Sequence, residues 1–433
     1  MLREIILRQK KEKEEFLAQK YIKREKLDQA KKWLDSDLIK VIMGPRRAGK
    51  SVFAFMLLKD YPFGYLNFDD ENLFRNGALD TNELMKEIYA VYGKTKYLLF
   101  DEIQNLPNWE LFINRLHRQG NNLIITGSNA KLLSRELATA LTGRHIPIEI
   151  LPFSFKEFLL AKNFYFRPEI LAIPEEKAKL IKLVETYLLE GGYPEVVVKG
   201  FETEEYLKVL YNSILFKDVV KRYKVKFSSQ IDNLGNFLIN NFSNFCSFRK
   251  IQQALNFRSV TTLEKYTEYL KDAYLIFTLT RFSFKPVERI KSPKKIYIVD
   301  NGFIKAKAIQ HSQDLGRLME NLVFVELMKN GFQANRDFFY HKTKSGREID
   351  FVIKEERKVK ALIQVCYSLT LESKKREISA LIEASQELNC KNLIIITWDK
   401  EGGEEIKNKK IKFIPLWKWL IEKRFREWLK ELA

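Results

Sequence analysis

The clearest chemical pattern in the sequence is a glycine-rich turn that is followed directly by a lysine and a hydroxyl. Gly44, Gly49, Lys50 and Ser51 fit the pattern GxxxxGK(S/T) within the stretch VIMGPRRAGKSVFAF. Glycines at these positions allow backbone N–H groups to surround phosphate oxygens, and a helix that begins there points its positive end at them. The pattern therefore predicts a loop that binds a triphosphate. The alternative is an ordinary glycine turn that opens a helix.

Two side chains of this loop have roles that follow from their chemistry. We expect Lys50 to neutralise charge between the β- and γ-phosphates of ATP, and Ser51 Oγ to be a ligand of Mg²⁺. The remaining contacts to the nucleotide should come from the loop as a whole, which comprises Gly44, Pro45, Arg46, Arg47, Ala48, Gly49, Lys50, Ser51 and Val52.

A pair of acids follows an apolar run in the stretch YLLFDEIQNL. Asp101 and Glu102 stand at the carboxyl end of the predicted strand, which is the edge where ligands bind in open α/β sheets. Asp101 is expected to hold magnesium through water, and Glu102 to orient and deprotonate the attacking water. Two acids could also simply cap the next helix, but the phosphate loop upstream favours the catalytic interpretation.

Other polar residues end or precede strands in the same region. Ser128 or Asn129, after the run NLIITG, could contact the γ-phosphate or the attacking water as a sensor. We expect Arg144 at the same edge, where a guanidinium could complete the transition-state charge, in this subunit or in a neighbouring one. A surface or salt-bridged arginine is the alternative. The acids at 69–71 end the second predicted strand and receive no role.

The order of apolar runs predicts the elements that position these residues. From Leu38, short apolar runs alternate with helical patterns, which is typical of parallel βαβ units. A helical region follows, and then three short helices and the alternating run YLIFTLTRFSF, which we interpret as a closing hairpin. Three helices closed by a hairpin are the outline of a winged helix-turn-helix. After the basic linker KPVERIKSPKK comes a second α/β segment, so the predicted fold class is α/β with a parallel-sheet P-loop core.

Several stretches also resemble one known family. The chain is similar to the AAA-like P-loop ATPases of archaea and bacteria in GPRRAGKS, LNFDDE, LLFDEIQNLPNWE, IITGSNAKLLSRELATALTGR and LPFSFKEF. The family's helical middle resembles EGGYPEVV and LFKDVVKRYKV, and its C-terminal part resembles GREIDFVI. In this family an ATPase is followed by a winged helix and a restriction-endonuclease-like domain. The resemblance covers nearly the whole chain and implies ATP binding and hydrolysis with the roles given above.

We therefore expect five segments along the chain. They are an N-terminal helical segment (1–36), a P-loop AAA-like core (37–155), a helical lid (156–227), a winged helix-turn-helix (228–289) and a PD-(D/E)XK nuclease-like domain (290–433). In the expected winged helix, the recognition helix offers Arg258, Lys265 and Lys271 against three acids. That balance is a weak surface for reading a DNA groove.

The resemblance also points to a second site in the C-terminal segment. Glu320, in a predicted helix, and Asp350, in the strand GREIDFVI, match the carboxylates with which such nucleases hold magnesium and polarise water. The lysine of the family's ExK pair is missing, because Gln364 and Cys366 occupy these positions. Gln364 can still offer an oxygen, but a thiol cannot replace the ammonium, so we expect the domain to be catalytically degenerate.

A lysine from elsewhere, such as Lys342 or Lys344, could replace the missing ammonium, although nothing in the sequence supports it. More generally, the net charge of +19 favours nucleic acid or an acidic membrane surface as a partner, with a lysine-rich solvated surface as the alternative. The three scattered cysteines indicate a reducing compartment. Since the sequence shows no secretory signal and no apolar run of about 18 residues, we expect a cytoplasmic protein.

Three functions are consistent with these patterns. The leading hypothesis is a Mg²⁺-dependent ATPase that acts as a switch or motor on nucleic acid or on a protein partner, as a homo-oligomer if an arginine acts in trans. The second is a DNA nuclease gated by ATP, which would use Glu320 and Asp350. The third is a DNA-binding regulator in which ATP is structural.

Overall fold

The computed structural model describes most of the 433-residue chain. The described residues are 2–75, 79–128, 141, 143–308 and 314–422. The chain divides into two compact units, Met1–Phe153 with Asp272–Tyr274, and Ser154–Lys271 with Leu275–Ala433. Within the described ranges no helix combines the length and the apolar character needed to cross a membrane. Cys246, Cys366 and Cys390 are all buried free thiols.

The first unit is built on a five-stranded parallel sheet. Its strands are β1 (Ile39–Met43), β2 (Phe63–Asn67), β3 (Tyr97–Asp101), β4 (Asn122–Gly127) and β5 (His145–Glu149). They stand in the order β2-β3-β4-β1-β5, and every neighbouring pair is parallel. Strands β3 and β4 are buried along their whole length, as expected for strands covered on both faces. The predicted parallel-sheet P-loop core is confirmed.

Helices cover both faces of this sheet. They are α1 (Leu2–Ala18), α2 (Leu27–Lys31), α3 (Lys50–Leu58), α4 (Thr81–Tyr92) and α5 (Trp109–Arg118). One apolar core joins the sheet to α1, α4 and α5, and the other joins it to α2 and α3. Because all five strands run in one direction, the loops that leave β1, β3 and β4 meet at a single edge.

The second unit contains a helical part and two sheets. Its helices are α6 (Phe155–Ala161), α7 (Pro174–Glu190), α8 (Pro194–Lys199), α9 (Thr203–Ile214), α10 (Ser228–Asn240), α11 (Phe248–Ala254), α12 (Val260–Asp272), α13 (Pro286–Lys291), α14 (Asn301–Lys307), α15 (Leu315–Lys329), α16 (Leu371–Leu388) and α17 (Leu416–Ile421). Helix α9 continues into a π-helical segment, Leu215–Lys221.

The smaller sheet begins between α10 and α11 and continues after α12. Its strands are β6 (Phe245–Cys246), β7 (Ile276–Leu279) and β8 (Lys294–Ile298), arranged antiparallel in the order β6-β8-β7. The hairpin that we predicted within YLIFTLTRFSF is therefore wrong. Strand β7 pairs instead with β8, which begins at the end of the presumed linker. After β7, Phe282 donates its N–H to the carbonyl of Tyr340. That linker contains α13 and begins β8.

The larger sheet lies towards the C-terminus. Its strands are β9 (Phe338–Lys342), β10 (Glu348–Glu355), β11 (Lys358–Cys366), β12 (Leu393–Thr397), β13 (Gly402–Ile406) and β14 (Lys409–Pro415), in the order β13-β14-β12-β11-β10-β9. Strand β12 is parallel to β11 and β14, and the other pairs are antiparallel. Helix α16 connects β11 to β12 and packs its apolar side on the sheet. The predicted C-terminal α/β segment is thus a mixed sheet with helices.

Candidate nucleotide-binding site

The glycine-rich turn leaves β1 at its carboxyl end and enters α3. Gly44 has a φ of 150°, and a methyl group there would lie 1.9 Å from the carbonyl oxygen of Ile150. Only glycine allows this close approach of two backbones. Gly49 has a φ of 91° and immediately precedes Lys50, the first residue of α3. The first N–H groups of α3 have no acceptor within the helix, so this end of α3 suits a phosphate group.

Lys50 lies between the turn and the acidic pair. Its side chain is only 4% exposed, and its ammonium donates a hydrogen bond of 3.2 Å to the carbonyl oxygen of Pro45. The same Nζ atom lies 3.7 Å from Oε1 of Glu102. The structure therefore brings together the lysine and the acid that the sequence predicted to face a triphosphate.

Asp101 ends β3 at the same edge. Burial raises the pKa of its carboxyl group, as does the charge of Glu102, whereas hydrogen bonds from Thr126 and Ser51 lower it. Ser51 and Asp101 are thus in hydrogen-bond contact, and they are the two side chains predicted for the magnesium ion. A hydroxyl and a carboxylate side by side are oxygen ligands of the kind that Mg²⁺ prefers, so these residues fit the ion.

Glu102 follows in a left-handed backbone conformation with a φ of 49°. Its N–H donates to Oγ1 of Thr126 at 3.0 Å, and its carboxylate accepts a hydrogen bond from the amide of Gln104. The hydroxyl of Thr126 also donates to Asp101, so this threonine contacts both acids. Sequence reasoning missed Thr126. The signal was a hydroxyl inside the apolar run NLIITG, on a strand that lies between β1 and β3.

The two remaining catalytic candidates lie at different edges of the sheet. Ser128 is buried directly after β4, at the edge that holds the phosphate loop, whereas Asn129 falls outside the described residues. Arg144 precedes β5, whose first residue pairs with Ile39 at the beginning of β1. Because β5 runs parallel to β1, Arg144 lies at the edge where β1 begins, opposite the phosphate loop. The prediction that Arg144 lies at the same edge is therefore wrong, and a role in a neighbouring subunit stays a prediction.

Arg24 is a second residue of this site that sequence reasoning missed. Its buried guanidinium donates to the carbonyl oxygens of Ala48, at 2.8 Å, and Leu151, at 2.5 Å, and it lies over the ring of Phe153. Arg24 therefore links the N-terminal segment to the phosphate loop through hydrogen bonds. Of the other loop residues, Pro45 and Ala48 are buried, Arg46 and Val52 are half-buried, and Arg47 is exposed.

The second predicted site, in the C-terminal part of the chain, has a different composition. Glu320 on α15 and Asp350 on β10 do lie together, but the ammonium of Lys295 lies between them, 2.7 Å from Glu320 and 3.5 Å from Asp350. Glu348 forms a third ion pair with Lys295. Burial raises the pKa values of Glu320 and Asp350, which Lys295 opposes. Burial alone would lower the pKa of Lys295, but the three carboxylates raise it well above its ordinary value.

Gln364 does not offer its oxygen to this site. Its Oε1 accepts the backbone N–H of Asp350 at 2.8 Å, and its amide nitrogen donates to the carboxylate of Glu377 at 2.6 Å. The expectation that Gln364 supplies a metal ligand therefore disagrees with its hydrogen bonds. Among the described residues, no group of three or more His, Cys, Asp or Glu side chains is arranged to hold a metal ion.

The lysine that reaches the two carboxylates also differs from the expected ones. Lys342 holds its ammonium over the ring of Phe245, 4.1 Å from the centroid, and Lys344 is exposed. Lys295 lies instead near the beginning of β8 and is the last residue of the stretch that was predicted to be a basic linker.

One family model agrees with this picture of the first unit. Residues 36–159 match the family model of an AAA domain. Residues 181–314 match a domain of unknown function (DUF8612), and residues 315–419 match another domain of unknown function (DUF4143). Among solved structures, the Walker-type ATPase of Pyrococcus abyssi is similar with a TM-score of 0.46 and 16% identity, over 66% of this chain and 95% of that chain.

Two relatives are similar over most of their length. An uncharacterized protein of Methanocaldococcus jannaschii is 42% identical over 398 residues, which are 88% of this chain and 88% of the relative. An uncharacterized protein of Haemophilus influenzae is 32% identical over 360 residues, which are 79% of this chain and 86% of the relative. The chain therefore belongs to the family of these two proteins, and its first unit carries an AAA-type P-loop domain.

Proposed function

We propose that the protein binds ATP with Mg²⁺ and hydrolyses it at the edge formed by β1, β3 and β4. The observation that carries this proposal is the meeting of four side chains at that edge. Lys50, Ser51, Asp101 and Glu102 come from two separate segments of the chain, yet each is in contact with another of the four. A lysine, a hydroxyl and two acids beside a helix N-terminus are the groups that phosphoryl transfer to water requires.

The chain's own residues divide the work as follows. The N–H groups of the turn and the ammonium of Lys50 bind the phosphates, and Ser51 and Asp101 hold the magnesium ion. When bound, that ion supplies charge neutralisation at the phosphate oxygens. Glu102 orients the attacking water and accepts its proton. Since Glu102 now contacts Lys50, transfer of Lys50 to the phosphates releases the carboxylate for this task.

Substitution of Lys50 tests the proposal directly. Lys50→Ala should abolish binding of a fluorescent ATP analogue and all turnover, because the loop loses its buried ammonium. Lys59→Ala is the matched control, since Lys59 is an exposed lysine at the other end of α3. The control should bind and hydrolyse ATP like the wild type. Wild-type affinity in Lys50→Ala, with an unchanged circular dichroism spectrum, would contradict the proposal.

We also propose that the target of the ATPase is nucleic acid, contacted by the segment from α10 to β8. Its order, which is a helix, a short strand, two helices and then two antiparallel strands separated by α13, resembles that of a winged helix and supports this assignment. Exposed cations occur on or beside two consecutive helices of this segment, namely Arg249, Lys250, Arg258 and Lys265. They lie in a chain whose net charge is +19. Cations grouped in this way favour a phosphate backbone as their partner.

Paired charge reversals test this target. The double variant Arg249→Glu/Lys250→Glu should weaken duplex DNA binding at least tenfold and lower the slope of its salt dependence by about 2. The double variant Lys177→Glu/Lys182→Glu on α7 lowers the net charge by the same amount and should bind DNA nearly as well as the wild type. Equal losses in both variants would show that DNA binding is not localised to this segment, and no stimulation of ATP turnover by DNA would indicate a protein partner.

A further inference from the structure

The second unit contains a largely buried group of four charged side chains that the proposed ATPase site does not use. We call it the Lys295 cluster, and it consists of Lys295, Glu320, Glu348 and Asp350. The side chain of Lys295 is 2% exposed, that of Glu320 11%, that of Asp350 13% and that of Glu348 35%. One cation therefore contacts three anions, and it is the least exposed member of the group.

Each member of the Lys295 cluster comes from a defined element. Lys295 belongs to β8 of the smaller sheet, Glu320 to α15, and the other two acids to β10 of the larger sheet. Tyr297, two residues along β8 and on the same face, donates its hydroxyl to Glu320 at 2.5 Å. The cluster thus joins the smaller sheet to both elements that carry the acids.

A further contact strengthens the same junction. The side chain of Asn321, next to Glu320 on α15, accepts the N–H of Ile298 at 2.8 Å and donates to its carbonyl oxygen at 2.9 Å. Strand β8 is therefore fixed to α15 by an ion pair, a tyrosine hydroxyl and a side-chain amide. Because the side chain of Lys295 is buried and its strand is held by these contacts, the fold determines where the ammonium lies.

Three carboxylates in a mostly closed site need a positive partner, because an unpaired buried charge is very costly. In many proteins a divalent cation fills that need, with carboxylate oxygens as its ligands. Here an ammonium donates to the carboxylates from the centre of the group, where such an ion would have to sit. Gln364, the neighbouring side chain, already uses its oxygen for the N–H of Asp350.

We infer that the ammonium of Lys295 takes the place of a divalent cation, so that this part of the chain needs no metal. The Lys295 cluster then has a structural role, which is to hold the smaller sheet against α15 and β10. On this inference the Lys295 cluster does not hydrolyse phosphodiesters, which argues against the nuclease alternative. This inference does not rest on the ATPase proposal. Each can fail alone, because they concern different residues and different measurements.

Manganese binding to the nucleotide-free protein is the first test. All proteins carry Asp101→Asn, so that metal at the phosphate loop does not contribute, and bound Mn²⁺ is measured by electron paramagnetic resonance. The protein with an intact Lys295 cluster and its Asp350→Asn variant should bind equally little Mn²⁺. Loss of about one Mn²⁺ per chain on Asp350→Asn would overturn the inference, as would nicking of plasmid DNA that Asp350→Ala abolishes.

Removal of the ammonium is the second test. Lys295→Ala, in the same background, should gain about one Mn²⁺ per chain, and adding Asp350→Asn should remove it again. Lys294→Ala, the neighbouring lysine of β8, is the matched control and should gain none. A folded Lys295→Ala protein that binds no more Mn²⁺ than the protein with Lys295 would contradict the inference. If Lys295→Ala folds only when Mn²⁺ is present, this rescue supports it, and if it folds in neither condition, the manganese titration of the intact cluster decides.

Discussion

The ammonium of Lys50 lies 3.7 Å from the carboxylate of Glu102, and both side chains are largely shielded from solvent. In this state the lysine that should bind phosphate and the acid that should activate water neutralise each other. A triphosphate is a stronger partner for Lys50 than one carboxylate, because it offers several charged oxygens. On the proposed function, nucleotide binding and release of Glu102 are coupled, so that the base becomes available only when there is phosphate to attack.

Glu102→Gln should separate binding from hydrolysis. The amide keeps the size of the side chain but cannot accept a proton, so turnover should fall by about 10² to 10⁴. The affinity for ATP should stay the same or rise, since Lys50 loses its competing anion. Single-turnover hydrolysis and equilibrium binding measure the two effects. Glu110→Gln, an acid at the start of α5, is the control and should change neither, whereas wild-type turnover in Glu102→Gln would exclude Glu102 as the base.

Thr126→Val tests the threonine that contacts both acids. Valine has the same shape, but it leaves Asp101 with one hydrogen bond fewer and the N–H of Glu102 without its acceptor. We expect at least a tenfold loss of turnover and a weaker dependence on Mg²⁺, with a stability loss of about 1–3 kcal/mol. Thr126→Ser keeps the hydroxyl and should restore turnover. If Thr126→Ser loses as much activity as Thr126→Val, the hydroxyl alone does not account for the effect.

The first unit was predictable because its determinants are local in sequence. Buried parallel strands read as short apolar runs, and the spacing of Gly44, Gly49 and Lys50 fixes a strand, a turn and a helix within a few residues. The partners of those residues were not predictable. Arg24 contacts a carbonyl 127 positions away, and Arg144 appeared well placed until the register of β5 put it at the far edge.

The second unit shows a different limit. The run that contains β7 alternates like a hairpin strand, yet its partner β8 lies beyond a proline-containing helix. Basic residues near prolines look like a solvated linker, so the sequence gives no sign that Lys295 is buried. Its burial follows from the three carboxylates on α15 and β10, which lie 25 to 55 positions further along the chain and meet it only in the folded state.

The motif EGGYPE has a structural explanation that leads to a stability prediction. Gly191 follows α7 with a φ of 76°, and a methyl group there would lie 1.7 Å from Oδ1 of Asp300. Gly200 follows α8 with a similar φ of 68°, but a methyl group there would meet nothing within 4 Å. Gly192 donates its N–H to the same Asp300 carboxylate at 2.8 Å, so the first glycine pair is fitted around a buried acid.

The two alanine variants should therefore differ in urea unfolding. Gly200→Ala pays only for the left-handed backbone, roughly 1–2 kcal/mol. Gly191→Ala adds the displacement of the buried carboxylate and should lose more than about 3 kcal/mol. The backbone contribution also differs, because Gly191 (ψ −162°) lies in a region that is essentially restricted to glycine, whereas Gly200 (ψ 28°) is in the left-handed helical region. Both effects make Gly191→Ala the more costly variant, and equal losses would contradict the prediction.

Lys40 provides a pH-dependent prediction in the first unit. It is a fully buried residue of β1, where its ammonium donates to the carbonyl oxygen of Ser36 at 2.6 Å and to Oδ1 of Asn122 at 2.7 Å. Burial lowers the pKa of Lys40 to about 8 from 10.5. Between these two values the unfolded chain holds a proton that the folded chain has released. The free energy of unfolding contributed by this group therefore rises with pH across that window, by at most about 1.4 kcal/mol per pH unit.

Lys40→Met should remove this rise. Loss of the two hydrogen bonds has the same cost at every pH, so the shape of the stability curve, and not its height, reports the titration. In urea unfolding at pH 7 to 11, the stability of the variant relative to the wild type should be highest below pH 8. It should then fall as the pH rises, and level off near pH 10.5. Burial also lowers the pKa of Lys13 to about 8, so Lys40→Met should keep part of the rise in stability with pH. Adding Lys13→Met to Lys40→Met should reduce that remaining rise. A constant difference between wild type and Lys40→Met over the whole range would mean that Lys40 titrates at its ordinary pKa in the folded protein.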